Sequence, residues 1–165
     1  MRKTYSAPML VARLATATGL PRAYIATAEI WDEEMRARID RHIADRGDGW
    51  VTQEAPRDLA GALARAEGVV LIDCATLWLT NVMLGGGDVE RETAEMLAAM
   101  AAYPGPVIVV SNEVGWGIVP DNKLSRDFRD AQGRLNQRLA EAADLVAGVM
   151  AGLPMVLKGQ MPVLQ

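Results

Sequence analysis

Apolar positions along this chain follow two alternating periods. Three short, largely unbroken apolar runs, Ala23 to Ala26, Val69 to Ile72 and Val107 to Val110, are each closed by polar residues: Thr27, Asp73 and Ser111-Asn112-Glu113. Runs of this kind without polar alternation read as strands buried on both faces of a parallel sheet. Between them the period lengthens to that of a helix. Leu10, Val11 and Leu14 share one face of a segment opening at Ala7, with Pro8 suited to its first turn and Gly19 to its end. Between Asp32 and Asp45, Met35, Ile39 and Ile43 recur every four residues, predicting a helix with one buried stripe and His42 at or just outside its edge. Leu59, Ala62, Leu63 and Ala66 mark the inward face of a helix from Asp58 to Glu67, stopped by Gly68. Leu77 to Leu84 and Glu90 to Ala102, the latter with Met96, Leu97 and Met100, read as helices on either side of a Gly85-Gly86-Gly87 loop, and Pro104-Gly105-Pro106 ends the second. Phe128, Ala131, Leu135, Leu139 and Ala142 define a long helix from Ser125 to Ala143, and Leu145 to Met150 and Met155 to Lys158 read as closing strands. Strands alternating with helices predict an α/β fold, a mostly parallel sheet flanked by helices, and no linker, repeat or charge run divides residues 1–165 into more than one domain.

Composition narrows the class. Of 165 residues, 50% are hydrophobic and 23% charged, the balance of a globular chain with a sizeable core. The 17 basic and 21 acidic residues give a net charge of −4, which argues against a general nucleic-acid binder or a membrane-surface protein, since both need a positive field. A single cysteine, Cys74, and a single histidine, His42, exclude an internal disulfide and a multi-thiolate zinc site, and they suit a reducing, cytoplasmic location. Any histidine chemistry falls to His42. No apolar run is long enough to span a bilayer. Met1-Arg2-Lys3 before an apolar stretch superficially resembles an export signal, but Arg13 interrupts it and the amphipathic-helix reading accounts for the same residues.

Candidate chemistry gathers where the strands end. In open α/β sheets ligands bind at the carboxyl ends of the strands, and Thr27, Asp73 and Ser111 to Glu113 all fall there. A hydroxyl and two carboxylates at such an edge suit a magnesium nucleotide, because Mg²⁺ takes one or two carboxylates and completes its shell with water and phosphate oxygens. Asp73 equally serves as the cap of the following helix. Glu113 either binds metal or activates a hydroxyl, or else caps the loop after it. A phosphate-binding loop, G-x-x-x-x-G-K-[ST], should follow the first strand, but only a tail, Lys3-Thr4, stands in its place. Gly85 to Gly87 do not substitute, since no strand runs into them and no Lys-Ser/Thr follows. A dinucleotide-dependent dehydrogenase is disfavoured because no G-x-G-x-x-G follows a strand.

Several long motifs carry a specific resemblance: Tyr24-Ile25-Ala26-Thr27-Ala28-Glu29, Asp32-x-Glu34-Met35, Arg38-Ile39-x-x-His42, Trp50 with Glu54, Asp73-Cys74-x-Thr76-Leu77-Trp78-Leu79-Thr80-Asn81, Ser111-Asn112-Glu113-Val114-Gly115-Trp116-Gly117-Ile118-Val119-Pro120, and Phe128-Arg129-Asp130-x-x-Gly133-Arg134-x-Asn136-Gln137. In this order, spanning nearly the whole chain from Lys3, they resemble the bifunctional adenosylcobinamide kinase/adenosylcobinamide-phosphate guanylyltransferase family of cobalamin biosynthesis. The resemblance implies a P-loop, RecA-like parallel sheet and assembly as homotrimers. It implies two reactions with Mg²⁺ and GTP or ATP: phosphorylation of adenosylcobinamide, then transfer of GMP from GTP through a guanylyl-histidine to give adenosylcobinamide-GDP. His42 is the histidine so implied, and a neutral imidazole is a competent nucleophile. Nucleotide contacts are implied for Thr27, Ala28, Glu29, the stretch Ile43, Ala44, Asp45 and Arg46, and Glu54 and Asp73. Lys3 and Thr4 would complete the phosphate site, with Thr4 and Asp73 on the metal; Arg46 alternatively is a solvated helix-end cation. Relative to the family, the first strand and the glycine-rich half of the phosphate loop do not precede Lys3, so the expectation is an N-terminally truncated chain. The alternative function is a non-catalytic nucleotide- or corrinoid-binding relative.

Overall fold

A computed structural model describes residues 6–162 of the chain. Twelve elements follow in order: α1 (Ala7–Thr18), β1 (Arg22–Ala26), α2 (Glu33–Arg46), β2 (Trp50–Glu54), α3 (Leu59–Arg65), β3 (Val69–Asp73), α4 (Ala75–Leu84), α5 (Val89–Ala102), β4 (Val107–Val110), α6 (Lys123–Ala142), β5 (Val146–Met150) and β6 (Leu153–Lys158). Four strands form one parallel sheet in the order β2-β1-β3-β4, so the expected α/β architecture is present. Val69 to Ile72 are fully buried, as a central parallel strand requires.

Alternation along the strands divides the core into two layers. Ala23, Ile25, Val70 and Ile72 face Leu59, Ala62 and Leu63 of α3, Trp78, Leu79 and Val82 of α4, Met96 of α5 and Leu135 of α6. Tyr24, Val69 and Leu71 face Val11 and Ala15 of α1. Between α3 and β3 the chain turns at Gly68 with φ +80°, a conformation open to glycine and strained for other residues. A Cβ there would run into the Pro21 carbonyl, which itself accepts from Val69 N at 2.9 Å.

Three expectations are corrected and one strand is added. The helix at Glu33–Arg46 forms, capped by Asp32, but it buries nothing: Met35 and Ile39 are half-buried and Ile43 is 50% exposed. Its attachment, through Arg46, is at its carboxyl end, so its apolar repeat is only partly covered. Trp50–Glu54 is a strand that the hydrophobic pattern does not announce, because an edge position leaves Val51 and Thr52 exposed and removes the apolar run. Val107–Val110 is half-buried, since among the described residues it pairs only with β3. The two last strands form a separate antiparallel hairpin, tied to α6 where Lys158 Nζ donates to the carbonyls of Ala140 and Glu141. Tryptophans divide between interior and loops: Trp78 is buried and Trp50 half-buried, whereas Trp31 and Trp116 are exposed.

Candidate active site

Parallel register brings four strand ends to one level. Glu54 is paired with Ala26, Ala26 with Asp73, and Asp73 with Val110. Residues in register share a face, and this is the α1 face, since Ala26 and Val110 pack into the α1 layer. Asp73 thus reaches that face half-buried, and the diagonal residue on β1, Tyr24, donates its hydroxyl to Asp73 Oδ2 at 2.7 Å. Burial, and secondarily the Asp73 charge beside it, pushes the Tyr24 phenol well above its ordinary value. The proton therefore stays on Tyr24, and Asp73 remains the acceptor.

Arg46 closes this corner. Its guanidinium lies 3.6 Å from the centroid of the Tyr24 ring and 5.7 Å from that of Trp50, whose ring meets Tyr24 edge-on at 6.0 Å and 89°. Arg46 Nη2 donates to Thr52 Oγ1 at 3.1 Å, and Trp50 Nε1 donates to the Arg46 carbonyl at 3.3 Å. The end of α2 is thereby docked on β1 and β2 by a cation on aromatic faces, an arrangement worth about 0.5–2 kcal/mol. Arg46 Nε is buried without a protein partner among the described residues. His42 precedes Arg46 by one helical turn, on the same side of α2, and its imidazole is exposed with no hydrogen bond among the described residues. Ile43, Ala44 and Asp45 lie between them, all exposed.

Thr27 faces the other way. Fully buried, its hydroxyl accepts from Cys74 N at 2.7 Å and donates to the Cys74 carbonyl at 2.8 Å, while its carbonyl accepts from Asn81 Nδ2 at 2.8 Å. Its side chain fixes the segment that carries Asp73. Ala28 and Glu29 follow it half-buried at the same edge, and Glu54 ends β2 exposed. Lys3 and Thr4, and with them the phosphate-loop expectation, lie outside the described residues. Cys74 is free and buried, its thiol pushed upward chiefly by burial.

The sheet edge therefore gathers Asp73, Glu54, Ala28 and Glu29, with His42 and Arg46 on α2. Tyr24 escaped the hydrophobic pattern because a buried aromatic in a strand reads as core; its signal is its place on the same strand face as the terminal Ala26. In a second polar cluster, Ser111 is marked by ending an apolar run, but its partners Gln132 and Asn136 on α6 are not, because Gln132 sits between Phe128 and Leu135 on that helix's apolar face.

Known proteins are similar to this one in sequence. The family model described as cobinamide kinase / cobinamide phosphate guanyltransferase matches residues 9–157. The chain belongs to this family. Its curated relatives include the bifunctional adenosylcobalamin biosynthesis protein CobP of Pseudomonas aeruginosa, 46% identical over 158 residues, covering 92% of this chain and 90% of the relative. The bifunctional adenosylcobalamin biosynthesis proteins CobU of Salmonella typhimurium and Escherichia coli are each 39% identical over 153 residues, covering 82% of this chain and 84% of each relative. Ala28, Glu29, His42, Arg46, Glu54 and Asp73 all fall within the span that the cobinamide kinase/guanyltransferase model matches. Among the described residues no helix is long and apolar enough to cross a membrane.

Proposed function

We propose that this chain catalyses both reactions for which its family is named: phosphorylation of adenosylcobinamide by a nucleoside triphosphate, ATP or GTP, and transfer of GMP from GTP to the resulting phosphate, giving adenosylcobinamide-GDP. What carries the reading is the placement of its one histidine: exposed, and one turn from a guanidinium docked on the ring of Tyr24, whose hydroxyl holds Asp73. In the second reaction an imidazole nitrogen of His42 attacks the α-phosphorus of GTP. The N–P bond forms as the bond to the β-phosphate's bridging oxygen breaks, and pyrophosphate leaves. A phosphate oxygen of the cobinamide phosphate then displaces the imidazole, which is regenerated. Arg46 supplies positive charge for the phosphates. Ala28, Glu29, Ile43, Ala44, Asp45 and Glu54 line the nucleotide, with Lys3 and Thr4 ahead of α1 completing its phosphate site, while Thr27, fully buried, serves the site by holding the segment that carries Asp73.

Mg²⁺ fits Asp73. Tyr24 engages Oδ2, while Oδ1 has no partner among the described residues, which also hold no cluster of three or more histidine, cysteine or carboxylate groups able to cage a metal. A single carboxylate with phosphate oxygens and water is a common magnesium donor set. When bound, the ion would neutralise charge on the transferring phosphates. The protein is further proposed to assemble as a homotrimer in the cytoplasm.

The test is GTP labelled at the α-phosphate, incubated with the protein and magnesium. Acid-labile label on the protein that disappears in His42→Ala is expected. Label persisting in that variant, or none on the wild type, overturns the reading.

A further inference from the structure

Beyond β4 the chain leaves the sheet through Ser111, Asn112 and Glu113, and a hydrogen-bond network grips all three. Asn112 N and Nδ2 donate to Thr76 Oγ1 at 3.0 and 3.1 Å, and Thr76 stands in the first turn of α4, three residues beyond Asp73. From the other flank α6 presents Gln132 and Asn136, one turn apart. Ser111 Oγ donates to Asn136 Oδ1 at 2.6 Å, and Gln132 Nε2 donates to Ser111 Oγ at 3.0 Å and to Asn136 Oδ1 at 2.8 Å. Asn136 Nδ2 donates to the Asn112 carbonyl at 3.0 Å and to Glu113 Oε1 at 2.8 Å.

This arrangement is an expensive way to hold a loop. Gln132 is 0% exposed, and its Oε1 has no partner among the described residues, an omission of a kind that costs on the order of 1–3 kcal/mol. An apolar residue on the same face of α6 would avoid it. What the network does achieve is to fix one exposed carboxylate, with one oxygen bound by Asn136 and the other unengaged among the described residues, at the carboxyl edge that carries Asp73.

We propose that Glu113 binds the acceptor alcohol in the phosphorylation reaction and takes its proton, and that Gln132 and Asn136 are positioning residues for it; this rests on the kinase reading above. In that step the alcohol oxygen attacks the terminal phosphorus of the triphosphate. As the new O–P bond forms, the bond from that phosphorus to its bridging oxygen breaks, its electron pair leaving on the nucleoside diphosphate. The hydroxyl proton passes to the free oxygen of Glu113, which returns it to water. Guanylyl transfer needs no such acceptor, because its nucleophiles are an imidazole and a phosphate oxygen.

The two reactions, assayed separately on the full protein, test the assignment. Glu113→Gln is expected to lower kcat for phosphorylation of adenosylcobinamide by about 100-fold or more, the range of general-base removal. KM for the triphosphate, the melting temperature and GMP transfer to supplied adenosylcobinamide phosphate should stay unchanged. Glu113→Asp should recover part of the lost rate, and Asn136→Ala should lower kcat for phosphorylation alone. Wild-type phosphorylation by Glu113→Gln, or a proportional loss of both reactions, overturns the proposal. A wild type that transfers GMP but does not phosphorylate overturns it while leaving the histidine reading standing; inactivity in both overturns the two together.

Discussion

Tyr24 serves packing and chemistry with one side chain: its ring carries the Arg46 guanidinium and its hydroxyl holds Asp73. A phenol whose value is raised on folding favours the folded state while both states keep the proton. Above its ordinary value of 10.0 the unfolded chain releases that proton and the folded chain does not, so stability falls as pH climbs beyond that point. Tyr24→Phe should flatten this alkaline loss in denaturant midpoints measured between pH 8 and roughly pH 11. Arg46→Lys keeps the charge but not the planar group that lies on both rings, and the rate of His42 labelling by GTP should drop several-fold, with Arg46→Ala lower still. At this scale the sequence announced Asp73 and His42, one by ending an apolar run and the other by being the single histidine. The Arg46–Tyr24–Asp73 contact was not legible, because it joins residues of three elements whose approach only the folded register determines.

Elements follow the apolar pattern wherever they bury a face. α1, α3, α4, α5 and α6 and strands β1, β3 and β4 stand within a few residues of where periodicity puts them. At α2 the pattern places the helix, Asp32 to Asp45 against Glu33–Arg46, but not its shallow seat; at β2 it fails, because an edge strand leaves too few apolar positions to mark it. What holds elements together at the site is polar. Thr27→Val keeps the shape of the side chain but deprives the Cys74 amide and carbonyl of their partner. A loss on the order of 2–4 kcal/mol is expected in urea unfolding, against about 1 kcal/mol for Thr27→Ser, which keeps the hydroxyl. At the α3–β3 turn, Gly68→Ala adds a Cβ against the Pro21 carbonyl at positive φ, and a loss of about 2 kcal/mol or more should appear as a lowered melting temperature.

Across the whole molecule, protection from solvent is uneven. β3 is fully buried through Ile72 between two strands and two helical layers, whereas β6 is exposed along its length and its hairpin is tied to the end of α6. Hydrogen exchange should therefore be slowest in β3, at the limit set by global unfolding, and fastest among the strands in β5 and β6; equal rates would contradict this distribution of contacts. The fold class was legible at this scale because alternating buried strands and amphipathic helices admit few architectures. The separation of the hairpin was not, since an apolar strand reads alike whether or not it joins the sheet. The distribution of indoles has a practical side. Trp78 is sealed in the core, while Trp31 stands between Glu29 and α2, and Trp116 stands on the loop that Glu113 opens. Intrinsic fluorescence thus contains two populations: a neutral quencher such as acrylamide should silence the loop indoles first and leave the interior one emitting. Occupation of the sheet edge by nucleotide or acceptor would then be read as shielding of Trp31 or Trp116, with no label attached.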